Sequence, residues 1–111
     1  MLKHRSFGKT GLEFSELVLG AGYVGGIVIH ADDDTRRALI RRVLYAGINW
    51  IDTAKSYGDG ASEEALGWFL GELPKDEVPY LSTKFRLDTS RLDDIPSQIE
   101  AALTGSLKRL S

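Results

Sequence analysis

Apolar positions along this chain follow two rhythms. Short, mainly apolar runs occur at Leu17–Gly20 and Ile48–Ile51, and Val78–Lys84 is a third strand candidate. Runs this short, ended by glycine or polar residues, predict buried strands. Between them the spacing turns helical. Leu39, Val43 and Leu44 are backed by Arg36, Arg37, Arg41 and Arg42. Leu66, Phe69 and Leu70 form a second stripe, and Ile99, Ala102, Leu103, Leu107 and Leu110 a third. Each stripe predicts an amphipathic helix. Asp32, Asp33 and Asp34 suit the positive start of the first helix, and Gly47 its end. Ser62 reads as the N-cap of the second, with Glu63 and Glu64 in its first turn and Gly71 as its stop. Pro96 is acceptable in the first turn of the third, and Pro79 only near the start of its strand.

Ahead of these units, KHRSF and LEFSE flank Gly8-Lys9-Thr10-Gly11, which predicts a β-hairpin. The order is hairpin, then strand–helix three times. Alternating buried strands and amphipathic helices imply βα units on a parallel sheet. The fold class is therefore α/β, and the absence of a low-complexity linker predicts one domain over residues 1–111. Ala21 to Ala31, with Gly22, Gly25 and Gly26, reads as a loop.

Composition narrows the function classes. Hydrophobic residues make up 42% and charged residues 27%, as in ordinary globular proteins. A net charge of −2 with mixed signs argues against a nucleic-acid or anionic-membrane surface. No apolar run approaches the roughly 18 residues of a membrane-spanning helix. No cysteine is present, and His4 and His30 lack metal-ligand spacing, so no metal site is expected. The start has no secretory apolar core. A cytoplasmic location is the expectation.

The candidate chemistry lies at strand ends. Asp52 ends the second strand, Lys84 ends the third, and Tyr57 lies in the loop after the second. Parallel strands place all such ends on one rim, where α/β proteins build sites. A free tyrosine is too weak an acid for efficient proton transfer at neutral pH, and a neighbouring ammonium favours its ionised form. The ammonium in turn needs a carboxylate. Singly, each residue has a plain alternative: a turn-capping Asp, a solvated Lys tip, a surface Tyr. Together they form a relay able to give a proton to an alkoxide. Lys55 is nearer in sequence but is expected to point away from the rim.

The opening FGKTGLEFSELVLG, the segment AGINWIDTAKSYGDGASEEALG, the tripeptide STK and the closing SLKRL resemble the N-terminal part of an aldo-keto reductase. That resemblance implies a (β/α)8 TIM barrel whose floor the hairpin closes, here incomplete with about three βα units. It implies reduction of an aldehyde or ketone, with NADP(H) favoured over NAD(H). Tyr57 resembles the family's proton donor, Lys84 its pKa-lowering lysine, and Asp52 the lysine's partner. Asp52 also corresponds to a position near the nicotinamide ribose, and Gly22 and Tyr23 to a loop near cofactor and substrate. The family's catalytic histidine and most cofactor contacts belong to later strands, with no counterpart among these residues. Gly20-Ala21-Gly22-Tyr23-Val24-Gly25 has the G-x-G-x-x-G spacing, but no helix is expected directly after it, so it is not read as a dinucleotide fingerprint.

Three units fill only part of a barrel of about 250 residues. The chain is therefore expected to be part of a longer enzyme with a small carbonyl substrate, and inactive alone. The alternative is a non-catalytic barrel fragment that folds by self-association, because open strand edges and uncovered apolar faces invite pairing.

Overall fold

The computed structural model describes residues 1–24 and 26–111, so Gly25 of the glycine-rich loop lies outside the described residues. Strands β1 (His4–Ser6) and β2 (Glu13–Ser15) pair antiparallel, with Arg5 opposite Phe14. Gly8 and Gly11 adopt φ of 56° and 78° in the connecting loop, a region that favours glycine. The hairpin is docked by aromatic rings and one polar clasp. Phe7 and Phe14 meet Trp50 edge-on at centroid distances of 5.5 and 5.3 Å. Ser15, fully buried, donates its backbone N–H to Asn49 Oδ1, and Asn49 donates its own N–H to Ser15 Oγ.

Three parallel strands follow in the order β3 (Leu19–Gly20), β4 (Trp50–Asp52) and β5 (Tyr80–Ser82). Leu19 aligns with Ile51, and Ile51 with Leu81. The strands are shorter than their apolar runs. Leu17 and Val18, expected within a buried strand, are 58% and 45% exposed. β3 pairs only with β4 among the described residues, so nothing on its far side covers the rest of that run.

The helices lie at the expected places. α2 (Asp33–Tyr45) begins at Asp32, whose carboxylate accepts from Thr35 N, and ends before Gly47 at φ 87°. α3 (Ala61–Leu70) and α4 (Ile95–Leu110) follow β4 and β5. The core joins Ile51 to Val28, Ile40, Leu66, Phe69 and Leu70. Pro96 sits in the first turn of α4, and Pro79 just ahead of β5.

Two features depart from the sequence reading. The segment expected to be loop contains a single turn of helix, α1 (Ile27–His30), which buries Val28 and Ile29. Ser62 is not the N-cap of α3. That place is taken by Gly60 at φ 97°, with no side-chain cap. Ser62 lies inside the helix, fully buried, because its hydroxyl donates to Ala21 O at 2.8 Å and meets Thr53 Oγ1 at 2.8 Å. It ties the ends of two strands to the start of a helix.

The hairpin and parallel βα units form no closed barrel among the described residues.

Candidate functional site

Register explains why Asp52 and Lys84 meet. Asp52 aligns with Ser82 across β4 and β5, and the ladder runs on through Thr53 N to Ser82 O. Lys84, two residues past β5, therefore emerges beside the end of β4. Its Nζ donates to Asp52 Oδ2 at 2.6 Å, to Thr53 O at 2.9 Å and to Tyr57 Oη at 3.3 Å. An ammonium has three N–H donors, and all three are engaged. The same Nζ stands 4.9 Å from the Tyr57 ring centroid. Since the Tyr57 oxygen accepts from Lys84, its own O–H is left to donate outward.

The second Asp52 oxygen is also fixed. Ser82 Oγ donates to Oδ1 at 2.6 Å, and Trp50 Nε1 donates to Ser82 Oγ at 3.0 Å. A continuous hydrogen-bond chain thus runs Trp50–Ser82–Asp52–Lys84–Tyr57. Burial pushes the Asp52 carboxyl up, but hydrogen bonds from Lys84 and Ser82 and the Lys84 charge outweigh it, holding the group below its ordinary 3.8. Burial likewise pulls the Lys84 ammonium down, and its bonds to Asp52 and Tyr57 with the Asp52 charge outweigh that, placing it above its ordinary 10.5. Both groups are ionised at neutral pH.

Tyr57 stands at a cleft of about 770 Å³ bounded by Lys84, Phe85, Arg86 and the Ala101–Arg109 side of α4. Lys55, expected to point away from the rim, pairs with Asp59 at 2.6 Å and lines the same cleft as Tyr57 and Lys84. Gly22 lies against the Tyr57 ring, where an added Cβ would come within 3.3 Å of two ring carbons. Tyr23 packs edge-on to Tyr57 at 6.2 Å. The structure thus brings all five expected residues, Asp52, Tyr57, Lys84, Gly22 and Tyr23, into one neighbourhood.

Two supporting elements escaped the sequence reading. Ser82 was read only as part of a strand, although the STK tripeptide carries it beside Lys84. Glu63, expected only as a first-turn acid of the second helix, is fully buried. It accepts from Thr83 Oγ1 at 2.6 Å and from Arg109 Nε at 2.5 Å. Burial pushes its carboxyl up, and bonds from Thr83, Arg109 and Ser106 with the Arg109 charge outweigh that, so it stays below its ordinary 4.5. Arg109 lies 46 positions away, beyond any local pattern.

Known proteins share this arrangement of sequence and fold. The Aldo/keto reductase family model matches residues 16–111. Aldo-keto reductase YhdN of Bacillus subtilis is 39% identical over 88 residues, covering 78% of this chain and 27% of the relative. L-Galactose dehydrogenase of Arabidopsis thaliana is 31% identical over 107 residues, covering 96% of this chain and 34% of the relative. The solved holo form of an aldo-keto reductase from Bacillus halodurans superposes with a TM-score of 0.75 at 29% identity, covering 99% of this chain and 37% of that one. This chain therefore spans about a third or less of the length of these relatives. It belongs to the aldo/keto reductase family.

Proposed function

We propose that this chain carries the proton-donating part of a nicotinamide-dependent carbonyl reductase site. The observation that supports this best is the Lys84 ammonium, which donates at once to Asp52 and to the Tyr57 oxygen. Tyr57 gives its proton to the carbonyl oxygen as that oxygen gains negative charge, and its own O–H bond breaks. Lys84 holds the resulting phenolate by charge and hydrogen bond. Asp52 keeps Lys84 charged and aimed. The reverse sequence oxidises an alcohol.

The residues at hand suit a nicotinamide cofactor. Asp52 is 34% exposed, and each oxygen accepts one bond within the protein, which leaves acceptor capacity for a sugar hydroxyl. Gly22 offers bare backbone beside Tyr57. When bound, such a cofactor supplies the hydride that reaches the carbonyl carbon. NADP(H) is the favoured form, on family resemblance alone. The substrate class is a small aldehyde, ketone or sugar, in keeping with a relative named for L-galactose.

The test replaces the matching segment of the B. subtilis relative with residues 16–111 and follows cofactor oxidation with small aldehydes. The chimaera is expected to turn over, and its Tyr57→Phe form to lose activity. Full activity in Tyr57→Phe overturns the reading. The 111-residue chain alone is expected to give no turnover, since the family's histidine and most cofactor contacts have no counterpart in it.

A second reading is favoured by two surface features. Ile99, Leu103 and Leu107 lie on one side of α4 and are 40%, 56% and 57% exposed, and β5 has no neighbour on its outer edge among the described residues. Alone, the chain would cover these surfaces by self-association. A folded monomer by light scattering at high concentration rules this out.

A further inference from the structure

Tyr23 is 62% exposed, yet both hydrogen-bonding capacities of its hydroxyl are used. It accepts from Gly58 N at 2.9 Å and donates to Ser56 O at 3.2 Å. These two backbone groups stand immediately before and after Tyr57. The segment that follows is unusual, since Gly58, Asp59 and Gly60 take φ of 63°, 50° and 97° in succession. Asp59 in that region is a strained, non-glycine position. Tyr57 is framed by backbone bonds, its N–H to Ala54 O at 3.0 Å and its carbonyl from Ser62 N at 3.2 Å, whereas the Gly58 N–H donates to the Tyr23 hydroxyl. An exposed aromatic side chain also loses rotamer freedom when fixed, so its ordering needs a compensating contact. The ring supplies another, meeting Tyr57 at 72° between planes, while Gly22 closes on the Tyr57 ring beside it.

We infer that Tyr23 is a positioning residue for Tyr57: its hydroxyl bridges Ser56 O and Gly58 N and thereby sets the direction in which the Tyr57 hydroxyl points from Lys84. The resemblance implies a place near the cofactor for Tyr23, and the bridge adds a positioning role. Only the kinetic consequence rests on Tyr57 being the proton donor.

Two variants of the 111-residue chain test the bridge. Tyr23→Phe keeps the ring and removes the hydroxyl, and Tyr23→Leu removes both. Amide exchange by NMR is expected to quicken at least tenfold at Gly58 in both variants, with a shift in the Tyr57 ring signals. Exchange at Ile51 and Leu66 is expected to be unchanged. Wild-type protection at Gly58 in Tyr23→Phe overturns the inference, even if Tyr23→Leu loses it, because the ring would then be the anchor. Quickened exchange throughout the core in Tyr23→Phe also overturns it, since the residue would be holding the fold. In the chimaera, Tyr23→Phe is expected to lower kcat about tenfold with KM unchanged. A raised KM at unchanged kcat overturns the inference in favour of a ligand contact. An active Tyr57→Phe chimaera would sink the proposed donor while leaving the Gly58 result intact.

Discussion

Lys84 has no spare donor. Its three N–H groups end on Asp52, Thr53 and Tyr57, so removing any one acceptor redistributes the others. In the chimaera, Tyr57→Phe is expected to lower kcat by about 10²–10⁴-fold, the usual worth of a positioned acid, with little change in KM. Lys84→Met should approach the same loss while leaving Tyr57 in place, and a near-normal kcat in that variant would count against the relay. At Glu63 the stakes are structural. Glu63→Ala strands Arg109 and Thr83 and is expected to cost about 3 kcal/mol in urea unfolding. The folded Glu63 carboxyl binds its proton more weakly than the unfolded one, whose ordinary value is 4.5. Its contribution is therefore full above that value and fades as pH falls through the lower, folded one. The stability gap between wild type and Glu63→Ala should narrow in that acid window and be constant near neutrality. Lys84 acts in the opposite sense, its contribution fading only as pH rises past 10.5.

Among the elements, α3 and α4 depend on the closest backbone approach. A Cβ at Gly67 would run into the Arg109 carbonyl, so the helices can cross there only with glycine. Gly67→Ala gains intrinsic helix propensity of about 1 kcal/mol but is expected to be destabilising overall by about 2 kcal/mol, measured by thermal or urea melts. Helix and strand order was legible in the sequence because apolar spacing is a local property. So was the meeting of Asp52, Tyr57 and Lys84, because parallel strands align their ends. What local pattern does not carry is partnership across the fold. Ser62 resembles any N-cap serine until its hydroxyl is seen between Ala21 and Thr53. Glu63 resembles any first-turn acid until Arg109 reaches it from the last turn of α4. The α1 turn escaped because one turn of four residues is too short for a periodic signal.

For the molecule as a whole, the floor and the rim are one connected piece. The hairpin sets Phe7 and Phe14 on Trp50, and Trp50 begins the hydrogen-bond chain that ends at Tyr57. The surface also carries exposed apolar side chains. Leu17, Val18, Leu103 and Leu107 are about half exposed. Replacing Leu103 and Leu107 together by Glu is expected to shift the 111-residue chain toward monomer in light scattering without unfolding it. An unchanged scattering mass counts against self-association through this face of α4.

Trp50 gives this chain a spectroscopic handle. Its indole N–H is two hydrogen bonds from the carboxylate that holds Lys84. Indole emission responds to the polarisation of that N–H. With Trp68 replaced by Phe, Trp50 becomes the sole tryptophan, and light emitted beside the hairpin is expected to report changes in the hydrogen-bond chain through Ser82 and Asp52.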